Sequence, residues 1–209
     1  MIEIIPAIMP KNLREFESAV ARVLGAADFV QVDVMDGKFV PDRSWPFPNF
    51  DMETATILHE DAGLPFWENI NYEFDLMIEK PEEFAEQFVR LGGGRIIIHY
   101  ESAEKDLIRE AVRKVKAMDT EAGLAINTDT PDEVLDEFIN DSENGIDFVQ
   151  FMGIAKIGYQ GEPFDERVID KIRALRAKYP DIMISVDGGV NFDSAPALIE
   201  AGANRLVSG

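Results

Sequence analysis

Eight short apolar runs recur along the chain, each bounded by polar or turn-forming residues. They are Ile2–Ala7, Phe29–Val34, Phe74–Ile78, Arg95–His99, Gly123–Ile126, Phe148–Met152, Met183–Val186 and Arg205–Val207. Runs of this length are typical of buried β-strands, and segments with helical spacing lie between several of them. Eight strands alternating with helices predict a (β/α)8 barrel, with a doubly wound parallel sheet as the alternative.

Four segments between these runs repeat apolar residues at the spacing of one helix face. They are Leu13–Leu24, Phe84–Leu91, Leu107–Met118 and Val168–Tyr179. Gly25 directly follows the first segment and is placed to end its helix.

The chain has the size of one domain. It has 209 residues, 46% of them hydrophobic, and no Pro- or Ser-rich linker divides it, so we expect a single (β/α)8 barrel over residues 1–209. The last strand candidate reaches Leu206–Gly209 with no helix after it. We therefore expect a barrel that lacks its last helix and a chain that is truncated at its C-terminus.

The charge and the chain start exclude several classes of partner. Forty acidic residues against 20 basic ones give a net charge of −20, a field that repels nucleic acid. The sequence contains no cysteine, so nothing ties the chain to an oxidising compartment. Neither a signal peptide nor a membrane span is evident. We expect a cytoplasmic protein that binds no membrane; a homo-oligomer is left open.

The stretch QVDVMDG, which starts at Gln31, combines valines with carboxylates. Side chains alternate along a strand, so Gln31, Asp33 and Met35 share one face and the valines between them share the other. In a barrel the valines would pack under the helices. Gln31 and Asp33 would then point inward near the C-terminal end of the strand, where barrel enzymes place their chemistry.

The same alternation turns two further aspartates inward. In YEFDLMI the apolar face leaves Asp75 inside, and in MISVDGG it leaves Asp187 inside at the strand end. Asp33, Asp75 and Asp187 therefore converge on one mouth. Like charges at short range need a bound cation, a shared proton or both. Paired carboxylates are also what a two-base proton transfer needs.

Ordered motifs along most of the chain resemble those of the ribulose-phosphate 3-epimerase family. The resemblance is carried by PAIMPKNL, QVDVMDGKFVPD, DLMIEKP, IIIHYES, AGLAINTDTP, GYQGEPF and VDGGVNFDSAPALIEAGANRLVSG. It implies an isomerase that moves the C3 proton of a small sugar phosphate between two aspartates through an enediolate. By position these catalytic residues are Asp33 and Asp187.

The resemblance also implies a divalent metal ion, which the family holds with two histidines and the two aspartates. The histidine positions fall at Gln31 and Asp75 in this chain. The expected ligands are therefore Gln31, Asp33, Asp75 and Asp187, a set of oxygen donors that favours Mg²⁺ or Mn²⁺ over zinc or iron. No organic cofactor is implied.

For the substrate and its phosphate, the resemblance points to glycine-rich loops and to residues lining the mouth. The predicted residues are Ala7, Met35, Met77, Gly158, Gly161, Gly188, Gly189 and Gly209. Gln160 stands where the family pattern has a glycine, and Ala7 where it has a serine.

Two alternative functions stay open. Gln31, Asp75 and Ala7 depart from the family pattern, which favours a non-catalytic or decayed sugar-phosphate-binding barrel. A related sugar-phosphate decarboxylase or lyase would carry D-x-K-x-x-D on the second strand. The stretch here reads DVMD and has no lysine, which disfavours that alternative.

Overall fold

The barrel predicted from the alternating pattern is present in the computed structural model, which describes residues 2–47, 52–59, 62–159 and 161–209. The strands are β1 (Glu3–Ile8), β2 (Phe29–Met35), β3 (Asn71–Met77), β4 (Gly93–His99), β5 (Glu121–Ile126), β6 (Phe148–Met152), β7 (Met183–Asp187) and β8 (Arg205–Ser208). They pair in parallel and in chain order, and β8 pairs with β1, so the sheet closes. The fold is a (β/α)8 barrel, and the doubly wound sheet is excluded.

Seven α-helices accompany the strands in the described part of the chain. They are α1 (Leu13–Val23), α2 (Met52–Leu58), α3 (Pro81–Arg90), α4 (Lys105–Lys116), α5 (Asp136–Ile139), α6 (Arg167–Lys178) and α7 (Ala195–Ala201). The four amphipathic segments correspond to α1, α3, α4 and α6. Gly25 adopts φ +75° just beyond α1, as its predicted role at the helix end requires. None of the described helices is long and apolar enough to cross a membrane.

The predicted apolar face of α4 included Leu107, Ala111, Val115 and Met118. Ala111 and Val115 are buried as predicted, but Leu107 is 37% exposed, whereas Ile108 is fully buried. An isoleucine at the next position takes the inward place, because a helix turns by about 100° per residue.

The strand faces follow the predicted alternation. Val30, Val32 and Val34 belong to the main apolar core between the sheet and the helices. The residues between them point into the barrel, where Gln31 is opposite Glu73 and Asp33 is opposite Asp75 in the register of β2 with β3. This register aligns the polar residues of neighbouring strands at matching depths inside the barrel.

Candidate active site

A cavity of about 370 Å³ opens at the C-terminal ends of the strands. Nine of the predicted site residues line it: Ala7, Asp33, Met77, Gly158, Gly161, Asp187, Gly188, Gly189 and Gly209. Its volume lies within the range of small-molecule sites. The structure therefore brings the predicted acid–base pair and the predicted phosphate loops to one pocket.

At the cavity, three buried aspartates form one cluster, of which Asp33 and Asp187 line the cavity wall. Asp33, Asp75 and Asp187 each offer a carboxylate oxygen, and these oxygens all lie within 4.8 Å of one another. Oxygen donors at this spacing could hold a metal ion, and carboxylates suit hard divalent cations. Asp33 and Asp187 are 3% and 9% exposed, whereas Asp75 is fully buried.

Gln31, the fourth predicted metal ligand, is fully buried beneath the pair. Its Nε2 donates to Asp33 Oδ1 over 2.8 Å and to Asp187 Oδ2 over 2.9 Å. Its Oε1 is buried and has no hydrogen-bond partner among the described residues. The amide nitrogen, not the predicted oxygen, thus faces the carboxylates in this structure.

Asp75 is held by side chains from β4 and β6. Its Oδ1 lies 2.9 Å from His99 Nε2, and its Oδ2 accepts a hydrogen bond of 3.3 Å from Gln150 Nε2. Burial lowers the pKa of His99, but the Asp75 carboxylate outweighs this and raises it above the ordinary value. An imidazolium at His99 would therefore compensate one of the three carboxylate charges.

The two remaining aspartates have raised pKa values. Burial and the charges of Asp187 and Asp75 raise the pKa of Asp33 well above its ordinary value, although the hydrogen bond from Gln31 opposes the shift. Burial and Asp75 raise the pKa of Asp187 to about 7. Near neutral pH one member of the pair can thus hold a proton while the other is ionised, as a general acid and a general base must.

The loop after β2 fixes the backbone of Asp33. Ser44 is buried there, donates its hydroxyl to the Asp33 carbonyl at 2.5 Å and accepts a 2.8 Å bond from the Met35 amide. Asp36, the next carboxylate along the chain, accepts hydrogen bonds from the backbone amides of Lys38 and Glu79. Asp36 therefore organises loops, whereas Asp33 faces the cavity.

The glycine loops form the far wall of the cavity. Gly188 and Gly189 have φ values of +90° and +68°, a region that side chains disfavour. A Cβ on Gly189 would lie 2.8 Å from the Phe164 backbone, so this loop has no room for a side chain. No lysine or arginine of the described ranges lines the cavity. An anion there would be bound by backbone N–H groups.

Several predicted site residues lie outside this cavity lining. Gln31 and Asp75 are buried beneath it, and Met35 packs against Val40 and Met77 in a small apolar cluster. Gln160 lies outside the described residues.

The sequence interpretation missed four polar lining residues, all on loops or at a strand end: Tyr159, Glu162, Asn191 and Ser208. Glu162 follows the predicted Gly158–Gly161 loop directly, and Asn191 follows Gly189 by two positions. Proximity in sequence to the glycine loops was the available signal for both.

Carboxylates at the C-terminal mouth of a (β/α)8 barrel lie where enzymes of this fold class place their chemistry. The sequence profile of the ribulose-phosphate 3 epimerase family matches residues 3–209. The chain belongs to this family.

Curated relatives are similar in sequence to most or all of this chain. The ribulose-phosphate 3-epimerase of Bacillus subtilis (strain 168) is 30% identical over 215 residues, which cover 100% of this chain and 91% of the relative. The ribulose-phosphate 3-epimerase of Chlamydia pneumoniae is 34% identical over 188 residues, which cover 87% and 74%.

Solved structures confirm the fold. The 3-hexulose-6-phosphate synthase from Salmonella typhimurium superposes with a TM-score of 0.69 over 100% of this chain and 89% of that one. Its sequence identity of 13% makes this a likeness of fold alone.

Proposed function

We propose that this protein epimerises a pentulose phosphate, or a related ketose phosphate, at C3. The observation that carries the proposal is the pair Asp33 and Asp187, which reach one cavity from β2 and β7. These strands are separated by β8 and β1 around the barrel. Carboxylates from two sides of a pocket can address opposite faces of one carbon.

The proposed reaction moves one proton off C3 and another onto it. The ionised aspartate takes the C3 proton, the electron pair of that bond forms a C2–C3 double bond, and the electrons of the C2 carbonyl move onto its oxygen to give an enediolate. The protonated aspartate then donates its proton to the opposite face of C3, which inverts the carbon. After the reaction the two aspartates have exchanged protonation states. The raised pKa values of both groups support this division of roles.

We further propose that Asp33, Asp75 and Asp187 hold one divalent ion, with Mg²⁺ or Mn²⁺ favoured over zinc. A bound ion would supply positive charge to the enediolate oxygen. The all-oxygen donor set supports a hard ion, and the unpartnered Gln31 Oε1 belongs to the amide that contacts Asp33 and Asp187.

The glycine loops are the proposed phosphate site. Gly158, Gly161, Gly188, Gly189 and Gly209 line the cavity, and a backbone without side chains lets an anion approach closely there. Membership of the ribulose-phosphate 3 epimerase family supports a small sugar phosphate as the partner, and the cytoplasm is the proposed location.

The departures from the family pattern at Gln31, Asp75 and Ala7 favour the alternative of a non-catalytic sugar-phosphate binder. A binder would retain the pocket and have no use for the proton transfer.

Exchange of the C3 proton separates the two functions. D-Ribulose 5-phosphate incubated with the protein in deuterated water should gain deuterium at C3 and should yield the C3 epimer. Proton NMR detects the loss of the C3 proton signal. The assay is run with Mg²⁺, with Mn²⁺ and with a chelator. Saturable substrate binding without exchange under all three conditions would establish the binder instead.

A further inference from the structure

Gln31 has hydrogen-bond partners at only one end of its amide. Its nitrogen bonds to Asp33 and Asp187 over 2.8 and 2.9 Å. Its oxygen is buried without a partner in the described chain. A buried carbonyl oxygen that has lost its water is costly. The orientation therefore persists because two charge-assisted hydrogen bonds outweigh one unsatisfied acceptor.

The nitrogen also lies where positive charge is most favourable. It donates to two carboxylates that come from different strands and that would otherwise repel each other. A divalent ion bound by the same carboxylates would need that position or one beside it. The N–H groups of an amide repel a cation, whereas its oxygen attracts one.

We propose that Gln31 is a positioning residue with two working orientations. In the metal-free protein its nitrogen holds Asp33 and Asp187 together in the place of a cation. When a divalent ion binds, the amide turns by half a rotation and presents Oε1 to the ion. The catalytic role of Asp33 and Asp187 rests on the proposed function, but the two orientations of Gln31 can be tested without an activity assay.

The turn is sterically simple, because the nitrogen and oxygen of an amide have nearly the same size and the terminal torsion is soft. Its cost is the loss of both hydrogen bonds. The wild-type protein should therefore bind a divalent ion more weakly than a variant whose residue 31 has the same shape and donates nothing.

Calorimetric titration of chelator-treated protein with Mn²⁺ tests this cost. Gln31→Glu keeps the shape, removes both donors and should lower the dissociation constant by about tenfold or more. Gln150→Glu is the matched control, because Gln150 is equally buried and donates to Asp75 instead of the pair. Its effect should be clearly smaller. Equal tightening in both variants would show that added charge alone is responsible, and would overturn the proposal.

NMR of the wild-type protein keeps the proposal testable if either variant fails to fold. In the metal-free state the side-chain amide protons of Gln31 should exchange slowly with water. Added Mg²⁺ should shift them far more than those of Gln150. Fast exchange in the metal-free state would refute the holding role. Mg²⁺ binding that leaves Gln31 unmoved, or no binding of either ion, would refute the second orientation, while C3 exchange decides separately on the epimerase.

Discussion

The two ends of the barrel hold carboxylates in opposite electrostatic settings. At the N-terminal end Glu73 is 1% exposed and lies 3.1 Å from the guanidinium of Arg95. Arg205 joins the same group through Glu3 at 3.2 Å. At the C-terminal mouth, Asp33 and Asp187 share the Gln31 amide as a hydrogen-bond donor. Among the described residues, no arginine lines the cavity there.

The same strands build both ends. Along β3, Glu73 and Asp75 are two residues apart and both point inward, and along β4 the inward residues Arg95 and His99 accompany them. Arginine is always charged and favours the anionic form of its carboxylate partner, but burial outweighs Arg95 and raises the pKa of Glu73 to about 7. The lower layer therefore surrounds its carboxylates with guanidinium groups, whereas the upper one surrounds the proposed acid–base pair with amide and imidazole groups.

Removing one carboxyl charge at the mouth should give the largest effect. Asp33→Asn or Asp187→Asn should lower C3 exchange by about 10²–10⁴-fold, since general acid–base groups contribute that much, while circular dichroism remains unchanged. Glu73→Gln, at the other end, should keep wild-type turnover. If both mouth variants keep wild-type turnover, the two-base assignment is wrong.

Breaking the ion pairs at the lower end should affect folding and not turnover. Arg95→Met leaves Glu73 buried without its main partner, which should cost about 3–5 kcal/mol in urea unfolding. The double variant with Glu73→Met should recover much of that loss, because no unpaired charge remains. A single variant as stable as wild type would show that the lower layer contributes nothing to stability.

Metal binding at the mouth should stabilise the folded protein against unfolding. Mg²⁺ or Mn²⁺ at about 100 times its dissociation constant should raise the free energy of unfolding by about 2.7 kcal/mol, measured by thermal melts. Asp75→His should shift the preference toward zinc, because imidazole suits that ion. Stoichiometric zinc in wild-type protein purified without chelators would contradict the hard-ion assignment.

The smallest effect should be a pH dependence of stability at the mouth. Asp187 has a folded pKa of about 7 against an ordinary value of 3.8. Between these values the folded protein holds a proton that the unfolded chain has released, so this group lowers stability as pH rises from about 4 to about 7. Metal-free Asp187→Asn should therefore gain stability relative to wild type as the pH rises from about 4 to about 8. Both proteins should be similar at pH 4; a constant difference at both pH values would point to another cause.

Strand positions and facing directions could be predicted because both follow from local patterns. The alternation in QVDVMDG was sufficient to turn Asp33 inward, and similar stretches located Asp75 and Asp187. The short helices α2, α5 and α7 were not predicted, since segments of 7, 4 and 7 residues carry too few turns for a helical period to show.

The partners of the inward residues could not be predicted, because they depend on register between strands. His99 meets Asp75 although the residue paired with Asp75 in the register is Ile97. The orientation of the Gln31 amide depends on carboxylates 2 and 156 positions away. A pattern within one strand contains the first of these separations but not the second.

The layer of Arg95 and Arg205 also closes the lower end of the barrel. Both are buried, and inward Ile97 and Phe148 form part of an apolar cluster on neighbouring strands. A ligand in the cavity covers the other end, so the aspartates would lose contact with water for as long as it stays. The carboxyl hydrogens of Asp33 and Asp187 would then exchange with water only after one ligand leaves and before the next one binds. The isotope transferred to a product would therefore match the isotope of the water that filled the cavity before the ligand bound.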